Sequence, residues 1–235
     1  MLVAAAVCPC PPLLVPEVAR GAAHEMDDAR AACYDAMAVL AAARPDRLVV
    51  VGPADQAARG THPQGAAGSF RPFGVDLRVR LGAGEPAARP LPPSLAVGAW
   101  LLERTGWSAA PVEGLGVGEP LPRDRCVDTG RKLAAEAGRV ALLVMGDGST
   151  CRTVKAPGYF DERAAAFDAE AARALSAADV QGLLALDEEL AYELGASGRS
   201  SWQVLAGAAE GAGLGGRLLY DQAPYGVGYL VASWS

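Results

Sequence analysis

Four times along this chain a short apolar run stops at a loop of proline, glycine and polar residues. Leu2–Val7 is halted by Cys8-Pro9-Cys10-Pro11-Pro12, and Asp46–Val51 by Gly52-Pro53-Ala54-Asp55-Gln56. Arg139–Met145 precedes Gly146-Asp147-Gly148-Ser149-Thr150-Cys151, and Arg217–Tyr220 precedes Asp221-Gln222. Apolar runs with no polar break read as strands buried on both faces, which is the signature of a largely parallel sheet covered by helices. Proline cannot donate to a sheet ladder, so Pro9, Pro11 and Pro12 end the first strand and stiffen the loop beyond it.

The connecting segments fit that sheet. Pro16–Ala43 is rich in alanine, with Val18, Ala22, Met26, Ala29, Cys33, Met37 and Leu40 at helical spacing, and Pro45 closes it. Strand, helix and strand of these lengths form a βαβ unit. Helices are expected at Ser94–Arg104 with Ser94 as its cap, Arg123–Ala137, Phe160–Leu175, Asp179–Leu194 and Ser200–Ala212 with Ser200 as its cap. Val75–Leu81 alternates like a strand with one wet face, Val112–Pro122 reads as irregular, and Val227–Ala232 is a final strand. The expected fold is one three-layer α/β/α domain over residues 1–235, with a mostly parallel mixed central sheet in which Leu2–Val7 is central.

Charge and cysteine usage narrow the function classes. The formal net charge of −6 and the scattered arginines leave no basic footprint for a nucleic-acid partner. Five cysteines is an odd number without the spacing of a disulfide framework or a paired zinc knuckle, which suits reduced thiols in the cytoplasm. LVAAAVC has neither the basic start nor the long apolar core of a signal peptide, and no apolar run is long enough to span a bilayer. A cytoplasmic protein with no membrane partner is the expectation.

If the four strands are neighbours, their loops converge on one rim, where open α/β sheets bind ligands. That rim would hold Cys10, Asp55, Gln56, Asp147, Ser149, Cys151, Asp221 and Gln222. Each has an ordinary structural reading too, because buried cysteines are usually packing and Asp or Ser after a strand is usually turn chemistry. Histidine is scarce: His24 lies in a helix beside acidic residues, and His62 lies in a flexible loop without a partner motif. A two-histidine, one-carboxylate iron site needs both imidazoles held beside a carboxylate, and these two are poorly placed for it.

The segments VCPCPPLLVPEV, LVVVGPADQ, LVMGDGSTCR, SSWQVLAGA and APYGVGYLVA resemble the class III extradiol ring-cleavage dioxygenases, in particular the LigB-type catalytic subunit and the related Memo proteins. The resemblance implies a three-layer α/β/α fold and ferrous iron held by two histidines and a glutamate, with a further histidine moving protons. It places Cys10 at the first histidine position and Asp55 or Gln56 at the second. Thr150 or Cys151 stands where the acid/base histidine belongs, and Asp221 or Gln222 takes the carboxylate position.

By this reading the metal candidates are Cys10, Asp55, Asp221 and Gln222, and the catalytic candidates are Thr150 and Cys151. Ser149, Asp147, Pro224 and Tyr225 are the substrate-binding candidates. The resemblance implies Fe²⁺, whereas a thiolate at Cys10 favours Zn²⁺, and a site without metal is the third option. A small aromatic or carboxylate ligand is the expected partner. A homo-oligomer is a further expectation, since a second chain completes the pocket in some relatives. Three hypotheses stand side by side: a metal enzyme of the dioxygenase type, a non-catalytic binding or interaction protein, and a metal-free enzyme using Cys10 or Cys151 as nucleophile. The last lacks a histidine base within motif reach.

Overall fold

The computed structural model describes residues 1–85, 87–136 and 138–235. Its strands are β1 (Leu2–Cys8), β2 (Arg47–Pro53), β3 (Gly60–His62), β4 (Ala67–Ser69), β5 (Arg78–Arg80), β6 (Val112–Val117), β7 (Val140–Met145), β8 (Gly216–Gln222) and β9 (Tyr229–Trp234). Seven of them form one sheet in the order β3-β6-β2-β7-β1-β9-β8, while β4 and β5 pair apart from it. The inner strands β6, β2, β7 and β1 are parallel, and β3 and β9 are antiparallel to their neighbours. β8 is antiparallel to β9 and so runs in the direction of β1.

The helices are α1 (Pro16–Ala19), α2 (Asp27–Ala42), α3 (Pro93–Arg104), α4 (Arg123–Ala135), α5 (Ala164–Ser176), α6 (Val180–Leu184), α7 (Glu188–Glu193) and α8 (Arg199–Ala209). Side chains alternate across a strand, so each inner strand feeds two cores. Ala4, Ala6 and Cys8 of β1 join Met37 and Leu40 of α2 and Leu95 and Trp100 of α3. Ala5 and Val7 join Phe167 of α5 and Trp202 and Leu205 of α8 on the opposite face. That is the expected α/β/α layering. β1 is interior as expected, although β7 rather than β1 is the middle strand.

Other expectations are corrected. Val112–Pro122 is not irregular throughout, because β6 occupies its first half. The segment Pro16–Ala43 breaks at Arg20, whose φ of 51° leaves the helical region, and a 3-10 turn over Arg20–Met26 precedes α2. Asp179–Leu194 divides into α6 and α7, capped by Asp179 and Asp187, each accepting from a backbone N–H three residues on. Ser94 does not cap α3, which begins at Pro93; its hydroxyl donates to the Pro53 carbonyl at 2.6 Å. Ser200 lies inside α8 and donates to the Glu119 carbonyl at 2.6 Å. In Val75–Leu81 only β5 is strand, with Val79 buried between exposed Arg78 and Arg80. The expected helix Arg123–Ala137 is α4, and Ala137 lies outside the described residues. No described helix is long and apolar enough to cross a membrane.

Two close approaches set the depth of the rim. A Cβ on Gly146, just past β7, would lie 2.4 Å from the Cα of Gly198, just before α8. A Cβ on Gly130 of α4 would lie 2.0 Å from the Val204 carbonyl of α8. Only glycine permits such contacts, and together they press α8 onto the sheet and onto α4.

Candidate functional site

The loops after β1, β2, β6 and β7 meet at the carboxyl ends of the strands. The Cys10 backbone N–H donates to Oδ1 of Asp147 at 2.8 Å, joining the loop after β1 to the loop after β7. The Ala54 N–H donates to the Val117 carbonyl at 2.7 Å, joining the loop after β2 to the end of β6. Ser94 ties the start of α3 to β2. The Gly198 N–H donates to the Asp147 carbonyl at 2.8 Å, and the Asp147 N–H donates to the Ser197 hydroxyl at 3.2 Å, drawing in the start of α8.

These ties frame a groove of about 380 Å³ lined by Cys10, Asp55, Arg59, Pro93, Ser94 and Glu119, with the Pro53–Ala54 backbone as part of its wall. The amino-terminal end of α3 therefore borders the groove, where its dipole favours negative charge. Arg59, anchored by Nε to the Ala54 carbonyl at 3.4 Å, supplies a guanidinium on the same wall. Exposed Asp55 supplies a carboxyl group to the groove.

Three acids on this rim are held toward their neutral forms. Burial raises the Cys10 thiol well above its ordinary value, and the charges of Asp147 and Glu119 add to that. Burial raises Asp147 to about 7 despite the hydrogen bond from the Cys10 amide. Burial raises Glu119 to about 8, with Asp147 acting in the same sense and Arg199 and Arg59 opposing. Carboxyl groups poised near neutrality can both donate and accept protons at physiological pH.

The remaining candidates fall elsewhere. Ser149 is fully buried, its N–H and hydroxyl donating to Asp168 at 2.7 and 2.8 Å. Arg152 donates to the same carboxylate at 3.0 Å, so its guanidinium is committed to Asp168 rather than to Cys151. Thr150 and Cys151 are tied down too: the Thr150 hydroxyl donates to the Leu194 carbonyl at 3.1 Å, and the Cys151 thiol lies 3.5 Å from the carbonyls of Leu194 and Gly158. Asp221 and Gln222 are exposed at the end of β8, and the charges acting on Asp221 are Arg152 and Asp168 rather than Cys10 or Asp55. Pro224 is exposed, and Tyr225 donates through its hydroxyl to Glu25 at 2.8 Å.

The structure thus brings together Cys10, Asp55 and Asp147 and leaves Ser149, Thr150, Cys151, Asp221, Gln222, Pro224 and Tyr225 outside the groove lining. His62 is not in a flexible loop: it is buried in β3, where Nε2 meets the Ala58 carbonyl at 2.8 Å. His24 is exposed. Among the described residues no three His, Cys, Asp or Glu side chains are grouped so as to hold a metal ion. A thiol and carboxyl groups held toward neutrality, with no imidazole on the groove wall, do not fit a ferrous facial triad.

The sequence pattern did not single out Glu119, Arg59, Arg199 or Asp168. Glu119 had a signal: Gly118-Glu119-Pro120 after Val112–Val117 repeats the pattern of a strand followed by a polar, proline-bearing loop. Buried Arg199 and Asp168 had none, since charged residues on helices read as solvent-facing.

No protein-family model matches the chain, and no curated protein matches it. Its structure is similar to the crystal structure of the uncharacterized protein JW3007 from Escherichia coli K12. The TM-score is 0.53 at 15% sequence identity, covering 99% of this chain and 100% of that one. At that identity the likeness concerns the fold alone.

Proposed function

We propose that this chain is a divergent relative of the class III extradiol dioxygenases that binds a small aromatic or aliphatic carboxylate in the rim groove and handles protons there without iron. The observation that carries this reading is the convergence of Cys10, Asp55, Arg59, Ser94 and Glu119 on one groove at the carboxyl ends of parallel strands. Its volume of about 380 Å³ lies at the small end of ligand sites. Arg59 and the amino-terminal end of α3 suit a carboxylate, and Asp55 suits a hydroxyl or amino donor on the same ligand. Glu119, raised to about 8, suits a proton exchanged with a bound hydroxyl or carbonyl group. A non-catalytic binding role on the same scaffold uses the same groove and differs only in the absence of turnover.

The test has two arms. Titration calorimetry with benzoate, hydroxybenzoates and short hydroxy acids is expected to give binding that weakens about tenfold or more in Arg59→Ala, as loss of a charge-assisted hydrogen bond implies. Anaerobic reconstitution with ferrous iron followed by O₂ uptake with protocatechuate and catechols is expected to show no ring opening. Robust uptake, lost in Cys10→Ala, would overturn the proposal.

A further inference from the structure

Glu119 lines a second cavity besides the groove. This one is about 160 Å³ and is bounded by Glu119, Arg199, Ser197, Tyr192 and the Gly195–Ala196 turn. At about 30 Å³ per water it has room for roughly five waters, or for a carboxylic acid of two or three carbons.

Two of its walls carry unmet electrostatic demands. Arg199 is 2% exposed. Its Nη1 donates to the Leu121 carbonyl at 2.7 Å and to Gln203 Oε1 at 3.0 Å, and its Nη2 donates to the Glu119 carbonyl. All three acceptors are neutral. Among the described residues no carboxylate oxygen lies within 4.0 Å of the Arg199 guanidinium, so this buried cation has no counter-charge in contact. The second demand is Glu119 Oε1, which is buried and has no hydrogen-bond partner among the described residues. Buried charges are ordinarily paired and buried polar atoms ordinarily bonded.

We propose that this second cavity is a binding site for a small monocarboxylate, held by the charge of Arg199 and hydrogen-bonded by the Glu119 carboxyl. One ligand meets both demands: its negative charge neutralises Arg199, and its oxygen accepts from Glu119. The exposed ring of Tyr192 and the apolar Ala191 and Ala196 leave space for a methyl or ethyl group rather than a second charge. A dianion such as sulfate would exceed the single positive charge.

The arrangement makes binding proton-linked. The groups acting on Glu119 are Arg199 of α8, Asp147 after β7 and Arg59 after β2, and Glu119 acts in turn on Cys10 after β1 and Cys126 of α4. Below about pH 8 Glu119 is neutral and donates to the anion. Above it Glu119 ionises, becomes the internal counter-charge of Arg199 and repels the ligand.

Acetate titrated into the full chain, followed by calorimetry and by amide shifts at Ala196 and Ser197, tests the site. Acetate is expected to bind about tenfold more weakly at pH 9 than at pH 6.5, the factor set by titration of one group near 8. Glu119→Gln, which keeps a donor but cannot ionise, is expected to lose most of that pH dependence, leaving only the weaker influence of Asp147. Ala196→Leu takes up space in the cavity while leaving Arg199 and every groove residue unsubstituted, so it is expected to abolish acetate binding while benzoate binding in the groove persists. Absence of acetate binding at pH 6.5 with the fold intact would overturn the proposal. So would equal binding at both pH values in the unsubstituted protein, or unchanged binding in Ala196→Leu. Sulfate binding as well as acetate at pH 6.5 would show a general anion site and overturn the assignment to monocarboxylates.

Discussion

The backbone amide of Cys10 donates to the Asp147 carboxylate at 2.8 Å, so the loop after the first strand and the loop after the middle strand hold one another in place. The bond is made to a carboxyl group that burial has raised to about 7, and that conflict has a thermodynamic signature. The folded-state value lies above the unfolded one. The stabilising difference is therefore fully present below about pH 4 and is lost as pH rises from there through 7.

Asp147→Asn keeps an oxygen for the Cys10 amide and removes the ionisation. Urea unfolding at pH 4.5, 6 and 8 is expected to show the unsubstituted protein weakening with pH, with Glu119 contributing in the same sense. The variant is expected to recover about 2–4 kcal/mol at pH 8 relative to its difference at pH 4.5. Parallel pH profiles for the two proteins would contradict the buried setting of Asp147.

His62 acts in the opposite sense. Burial lowers its pKa from the ordinary 6.5, only partly offset by the Ala58 carbonyl, and its Nδ1 is buried without a partner among the described residues. Its contribution is fully present above about pH 6.5 and is lost as pH falls through the lowered folded value. Between pH 7.5 and pH 5 the unsubstituted protein is expected to lose more stability than His62→Gln does. Chemical denaturation at the two pH values measures it.

Asp168 accepts from the Ser149 N–H, the Ser149 hydroxyl and Arg152 while only 1% exposed. Removing it strands a buried amide and leaves Arg152 unpaired. Asp168→Ala is expected to cost about 3–5 kcal/mol, and Ser149→Ala about 1–2 kcal/mol. Equilibrium denaturation measures both. A large loss of acetate or benzoate affinity in Ser149→Ala, out of proportion to its stability, would show that this cluster touches ligand after all.

Gly130→Ala reverses the usual sign of a helical substitution. In an exposed helix alanine gains about 1 kcal/mol over glycine. Here the added Cβ would sit 2.0 Å from the Val204 carbonyl, so α4 and α8 must separate. Thermal melts are expected to show a net loss of about 1–3 kcal/mol. A more stable variant would mean that α8 is not held as tightly as the close approach implies.

How far the sequence could be read depended on what glycine concealed. β1, β2 and β7 were legible because nothing interrupts their apolar residues. β6 was not, because Gly114 and Gly116 dilute it. Both positions are crowded: a Cβ at Gly116 would lie 2.4 Å from the Ala58 carbonyl, and one at Gly114 would lie 3.0 Å from Leu81 and Leu95. The packing that demands glycine erased the hydrophobic pattern that would have announced a strand, and Glu119 was lost with it. Cys10 and Asp55 were found because their loops come after legible strands. Arg199 was not, since nothing local distinguishes a buried arginine from a solvated one. Ser94 and Ser200 were misread for a related reason: each hydroxyl serves a distant carbonyl, at Pro53 and Glu119, rather than its own helix end.

β1, made of residues 2–8, is flanked by β7, made of residues 140–145, and by β9, made of residues 229–234. During synthesis β1 therefore leaves the ribosome well before either neighbour exists. Pairings of such long sequence separation form slowly, and an unpaired apolar strand is open to association with other chains. Until Val140–Met145 has been made, Leu2–Val7 has neither of its sheet partners, so a wholly apolar strand of the sheet must wait for most of the chain before its edges are covered.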